Sequence, residues 1–168
     1  ESEMSLRRWA WPVLITLLGA YVRWHRLDDI RLLWDYVYPT AQAQMLIARG
    51  EWPALGQVTS FFISNPPGQA YVNLIPLALF GSLWSVFWFV VALNMLAVPL
   101  LYRLGREVFD EREALIGSFL FAVSPSVIFY SRTTYSSSLI PVGTALILTL
   151  LLPALSESPK HARHPHQI

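Results

Sequence analysis

Apolar positions in this chain come in blocks, and the blocks are separated by short clusters of charge. The first block, Trp9 to Val22, follows Arg7 and Arg8 and precedes Arg23, His25 and Arg26. Its 14 residues reach only about 21 Å as a helix, so crossing a hydrocarbon core of about 30 Å requires Arg8 and Arg23 to snorkel toward the two surfaces. From His25 to Asn65 the pattern is mixed, with Asp28, Asp29, Arg31, Asp35, Arg49 and Glu51 among aromatic residues. That stretch is too polar to span and too apolar for disorder, which places it at a membrane surface. Within it, Thr40 to Arg49 reads as a helix with Pro39 in its first-turn position and Gly50 at its C-terminal cap.

Residues 52–102 contain no Asp, Glu, Lys or Arg. Pro66-Pro67 opens a segment running to Phe80, Gly81-Ser82 interrupts it, and Leu83 to Tyr102 follows at standard spanning length. Ala114 to Tyr130 makes a further segment kinked at Ser124-Pro125, and Leu139 to Leu155 makes the last. The pattern predicts an all-α, polytopic transmembrane protein with about four spans, at about 9–24, 83–102, 114–131 and 139–155. The outer loop, 25–81, carries two interfacial helices, and 156–168 is a polar tail.

Composition sharpens the class. Only 14% of the 168 residues are charged and 54% are hydrophobic, against about a quarter charged in ordinary soluble domains. The net charge of +1 supplies no basic stripe for nucleic acid, and the lack of cysteine removes disulfides and thiolate nucleophiles. The positive-inside rule puts the amino terminus in the cytoplasm of a multi-pass inner-membrane protein. Arg103, Arg106 and Arg112 then fall inside, while Arg132 falls outside on the side of Asp35.

Four stretches resemble the polytopic glycosyltransferases of the C-type fold, in particular family 39, with its protein O-mannosyltransferases, and the aminoarabinose transferases of lipid A. Arg26 to Asp29, then Trp34-Asp35 and a helix closing in Arg49-Gly50-Glu51-Trp52, resemble the first outer loop of that family. Asn65-Pro66-Pro67 resembles its Lys-Pro-Pro or His-Pro-Pro start of a juxtamembrane helix. Leu101 to Phe109 resembles its basic inner loop, and Ala122-Val123-Ser124-Pro125 through Arg132 its passage into a second outer loop. The resemblance covers about residues 5–155 and corresponds to the amino-terminal portion of such an enzyme. It implies transfer of a sugar from a polyprenyl-phosphate carrier to an acceptor on the outer face.

Under that resemblance Asp35 is the catalytic base, because a hydroxyl acceptor must lose its proton as it attacks the anomeric carbon. The competing reading makes Asp35 an interfacial helix cap or a partner of Arg31. Arg132, Asn65 and Tyr38 are the substrate-binding candidates. A guanidinium fork at Arg132 suits the departing phosphate, although snorkelling accounts for it equally well, and Asn65 supplies a neutral donor where aminoarabinose enzymes carry a lysine. Many relatives follow the aspartate with a second acid, whereas this chain has Tyr36, which weakens the case for a carboxylate-held divalent metal. No metal ligands are assigned, and the cofactor requirement stays open. Asp28 and Asp29 read as a solvated loop cluster, and His161, His164 and His166 as part of the polar tail.

Trp84, Trp88 and Phe89 read as lipid-facing or packing residues, with a lipid-carrier groove as the other reading. Asn94 should face a neighbouring helix. The partners expected are the bilayer, a polyprenyl-phosphate sugar and another chain supplying further spans. The alternative function is a non-catalytic membrane module that binds lipid-linked sugar or scaffolds an enzyme.

Overall fold

The computed structural model describes residues 2–29, 33–135 and 137–156. The described residues are all-helical, apart from one isolated antiparallel bridge between Val58 and Ser64. The helices are α1 (Ser2–Trp24), α2 (Trp34–Arg49), α3 (Gly68–Phe80), α4 (Leu83–Met95), α5 (Ala97–Val108), α6 (Glu111–Val123), α7 (Pro125–Ser131) and α8 (Ile140–Ser156). A short 3-10 turn, Leu27–Asp29, follows α1.

Two of the helix stops follow directly from glycine chemistry. Gly50 and Gly81 take left-handed conformations at φ 70° and 64°, and each donates its N–H back to a carbonyl of the last turn, of Leu46 and Leu77. Ser82 then caps α4 by accepting from the Trp84 N–H. At the far end of α5, a capping box between Asp110 and Glu113 starts α6, and Arg106 pairs with Glu111 across the turn. Gly105 lies against Ala114 there, so that a methyl group at 105 would meet Ala114 Cβ at 2.9 Å.

α4 and α5 form one apolar helix of 26 residues, Leu83–Val108, about 39 Å long and sufficient to cross a bilayer. α1 runs antiparallel to it: Trp9 meets Tyr102 edge-on at 6.5 Å, Gly19 lies against Val98, and Leu27 joins Phe87 and Val91 in a buried cluster. α6 and α7 are bent by 60° at the Ser124-Pro125 break and would make a second span if taken together. The apolar part of α8, Ile140–Leu152, and α3 are shorter than a bilayer requires. By length and composition, the described helices include one clear span, or two if α6 and α7 are taken together, against the four expected. The shortfall lies in α1, whose apolar run is short, and in α8.

Two expectations are corrected. Pro39 does not open the second helix. α2 begins at Trp34, and Pro39 sits buried in its interior, where the missing N–H leaves the Asp35 carbonyl without its i+4 donor. Arg23 does not snorkel. It is fully buried, and its guanidinium donates to the carbonyls of Gly19 at 2.9 Å, Ala122 at 2.8 Å and Phe121 at 3.4 Å. Pro125 has no N–H for the Phe121 carbonyl, and the extended Ser124 removes the next donor, so Arg23 caps the carbonyl end that the kink leaves bare. Its positive charge also sits at the negative end of the α6 dipole. Asn94, as expected, faces inward; it is 1% exposed and donates to the Val90 carbonyl at 3.1 Å.

α2 and α3 lie side by side and run in the same direction, since Thr40 meets Asn73, and Ala43 packs with Leu77 against Val86 of α4. A buried polar ladder sets their register. Gln69 donates to Asn73 at 2.8 Å, and Asn73 donates to the Thr40 hydroxyl at 3.0 Å. Parallel helices need a return connection, and residues 50–67 provide it by carrying the chain back to the amino end of α2.

Because Arg23 replaces donors that the kinked helix lacks, Arg23→Met should destabilise the folded chain by about 3 kcal/mol, with Arg23→Lys recovering part of the loss. Thermal unfolding in detergent micelles checks this, and an unchanged midpoint for Arg23→Met would refute the capping role.

Candidate functional site

The site is assembled at the end of the bundle where α1, α2 and α7 finish or begin. The bend after Val123 carries α7 across the end of α1, and two hydrogen bonds then tie the segment after α7 to the first outer loop. Arg132 donates through Nη2 to the Arg26 carbonyl, and the Thr134 hydroxyl donates to the Tyr36 carbonyl in the first turn of α2. Thr133 and Ser138, both buried and 2.9 Å apart through their hydroxyls, close the same segment on itself.

These ties enclose a cavity of about 490 Å³ whose polar wall comprises Arg26, Arg132, Asp29, His25, Tyr36 and Thr133, with Val22, Leu33 and Phe129 as its apolar wall. Arg26 takes a left-handed backbone at φ 52°, uncommon for a residue with a side chain, and its carbonyl meets Arg132. Its own guanidinium pairs with Asp29 at 2.6 Å. The Nε of Arg132 is buried and has no hydrogen-bond partner among the described residues. Burial raises the Tyr36 phenol above the usual tyrosine value, and Asp35, Tyr130 and Tyr135 push it the same way, so Tyr36 is a neutral donor at physiological pH.

Asp35 lies one residue before Tyr36, in the first turn of α2, where the helix dipole favours a carboxylate. Its carboxylate accepts from Gln57 and does not line the cavity. Gln57 stands opposite Asn65 in the return connection: Asn65 donates to the Gln57 carbonyl at 2.8 Å, and Gly56 donates to the Asn65 carbonyl at 2.7 Å. The structure thus brings Asp35 and Asn65 together through Gln57, and Arg132 to the neighbouring residue of α2 through Thr134. Tyr38 stacks obliquely on Trp34, ring centroids 5.8 Å apart, and does not line this cavity. Arg31, the alternative partner of Asp35, and the three tail histidines lie outside the described residues.

Gln57 and Thr134 escaped the sequence reading. Neither carries a spacing signal, because each acts on a residue distant in the chain.

Among the described residues, no group of carboxylates and histidines gathers as metal ligands. Asp29 is engaged by Arg26, Asp35 by Gln57, and Asp28 lines a second cavity of about 780 Å³ walled by Trp24, Phe80, Trp84, Trp88 and Phe89. The three aromatics read as lipid-facing or groove-lining thus gather at one cavity. A third hollow, about 1050 Å³ and lined mainly by apolar residues, runs along α1, α5 and α8 past Tyr102, Arg103 and Arg106, and does not include Arg132.

Residues 64–161, 98 of the 168, match the family described as dolichyl-phosphate-mannose-protein mannosyltransferase. The chain belongs to that family. Its glycosyltransferase character and its membrane localisation follow from this membership together with the apolar helices. The mannosyltransferase match takes in Asn65 and Arg132 and begins after Asp35 and Tyr38. No curated protein and no solved structure matches the chain.

The tie between Thr134 and Tyr36 is worth about 1 kcal/mol as a net hydrogen bond, so Thr134→Val should speed amide exchange at residues 36 and 37 roughly five-fold. Hydrogen-exchange mass spectrometry of the two proteins reads this directly, and equal exchange would show that the segment after α7 does not hold α2.

Proposed function

We propose that the chain forms the outer-face catalytic portion of a membrane glycosyltransferase that takes its sugar from a polyprenyl-phosphate carrier. In this reading α1 and α8 also cross, as short spans beside α4–α5 and α6–α7, and the four passes, with the amino terminus in the cytoplasm of the inner membrane, set Asp35 and Arg132 on the outer side. Further spans from another chain would complete the wall around the carrier. The observation that carries the proposal is the pair of ties from Arg132 and Thr134 to the first outer loop, which supports a single centre built from two loops about a hundred residues apart. The family description, which names a dolichyl-phosphate-linked mannose, supports the donor class.

In the reaction, an acceptor hydroxyl oxygen attacks the anomeric carbon from the face opposite the phosphate. The new glycosidic bond forms as the carbon–oxygen bond to phosphate breaks, and that electron pair leaves with the phosphate oxygen. Asp35 takes the hydroxyl proton, and Gln57, donating to one carboxylate oxygen, orients the other toward the acceptor. Arg132 and Arg26 receive the developing negative charge in the 490 Å³ cavity, where the neutral Tyr36 phenol adds a donor without adding repulsion. Asn65, linked to Asp35 through Gln57, and Tyr38, one turn further along α2, bind the sugar hydroxyls. One displacement without a covalent intermediate inverts the anomeric configuration.

Transfer of label from radiolabelled polyprenyl-phosphate sugars, measured in membranes, tests the roles. Asp35→Asn should lower the rate by about 10² to 10⁴ with donor binding retained. Unchanged transfer would remove Asp35 from the chemistry, and no transfer by the unsubstituted chain would favour a non-catalytic module. Arg132→Gln should reduce kcat/KM for the donor by roughly ten-fold or more, and Arg132→Lys by less, since lysine keeps the charge but loses the fork. Equal values for all three proteins would exclude a phosphate contact at Arg132.

A further inference from the structure

The return connection between α2 and α3 ends in a tip that the proposed reaction does not use. Val58 bridges to Ser64, and the residues between them turn back on themselves. At the tip stand Phe61, Phe62 and Ile63, exposed by 83%, 91% and 69%. Three consecutive large apolar residues this bare, in a loop without charge, are an interaction surface rather than a packing accident. Phe62 holds φ 59°, a left-handed conformation costly for an aromatic residue, so the turn keeps that ring outward at the expense of backbone strain.

We infer that this hairpin is a lipid anchor, its Phe61-Phe62-Ile63 tip seated in the outer leaflet of the bilayer beside the bundle. Three observations select lipid over a protein partner. Part of the turn's backbone is paired within it: Thr59 donates to the Ile63 carbonyl at 2.8 Å, Phe62 to the Thr59 carbonyl at 3.0 Å, and Ile63 to the Thr59 hydroxyl at 3.3 Å. That pairing lowers the cost of bringing the turn against acyl chains, which offer bare N–H groups nothing. No charged residue stands anywhere in 52–102, so the tip lacks the charged and arginine-rich contacts that rim protein interfaces. The base of the hairpin is fixed, through Gln57 and Asp35, to the amino end of α2, the end that Thr134 binds to the bundle. The base of the hairpin is therefore fixed at the end of the bundle where α2 begins, and the tip projects from there. Seated in the outer leaflet, it would fix the height of Gln57 and Asp35 above the membrane, which is where a lipid-linked sugar must present its anomeric carbon.

The inference rests on the membrane placement proposed above, and its test separates the two. The chain has no cysteine, so Phe62→Cys, Trp88→Cys and Glu51→Cys can each be labelled with a small polarity-sensitive nitrobenzoxadiazole dye. The labelled full chains are reconstituted in phosphatidylethanolamine–phosphatidylglycerol vesicles. Dye at 62 should emit at shorter wavelength than dye at 51, be quenched by brominated acyl chains and resist iodide. Iodide quenching at 62 with bromolipid quenching at 88 would overturn the anchor and leave the membrane placement standing; iodide quenching at both would overturn the two together. Dye at 62 protected from both quenchers would show a protein surface covering the tip, and would also overturn the anchor. Ile63→Cys, measured in the same way, guards against a local effect of replacing the strained residue.

Discussion

A buried guanidinium at a broken helix governs this architecture. The Ser124-Pro125 break is written in covalent chemistry, since proline cannot donate and its ring expels the preceding residue from helical geometry. In water the stranded carbonyls would be solvated at little cost, but between packed apolar helices they require a donor. Arg23 brings that donor from a different helix, and its bonds to Ala122 and Phe121 lock α1 to α6 at the point where α7 departs. Gly19, one turn earlier on α1, allows the approach: a methyl group there would lie 3.3 Å from Ala122 Cβ and 3.2 Å from the Arg23 guanidinium. The 60° turn is thereby fixed in direction, and everything the second loop contributes to the site depends on that direction.

The other half of the site depends on a second polar device in apolar surroundings. α2 and α3 meet through small and aliphatic side chains, which define an interface but a poor register. The Gln69–Asn73–Thr40 ladder resolves that ambiguity, because a slip along the helices would leave buried amides unpaired at a cost far above any gain in packing. With the register set, the return connection has one path, and Gln57 arrives at Asp35. Two loops distant in sequence thus meet on consecutive residues, Asp35 and Tyr36, each held by a partner from elsewhere in the chain.

What could be read from the sequence was local. Gly50, Gly81-Ser82 and Ser124-Pro125 mark helix ends that the structure reproduces, because each rests on backbone conformations available to a few residue types. The start of α2 was hidden, since Pro39 looks like a first-turn proline and only tertiary packing carries the helix six residues further toward its amino end. Arg23 was misread for a related reason. Flanking an apolar run, an arginine has the same sequence signature whether it reaches for the surface or for a carbonyl 99 residues away. The number of spans also outran the pattern: charge-free runs indicate apolar surroundings, whereas crossing depends on continuous helical length, which the described residues provide clearly only for Leu83–Val108.

The residue after Asp35 shapes what chemistry the site can support. Tyr36 lines the cavity that Asp35 does not, and it brings there a neutral phenol whose pKa is raised by burial and by the adjacent carboxylate. Among the described residues, the fixed charges lining the cavity are Arg26 and Arg132 set against Asp29. Such a set of charges suits an anionic group, and both guanidiniums are held in place, Arg132 by the Arg26 carbonyl and Arg26 by the Asp29 carboxylate. The Nε of Arg132 is buried without a partner among the described residues. An unused donor in that place costs stability in the resting protein, and an arriving anion is the ligand whose binding would recover it.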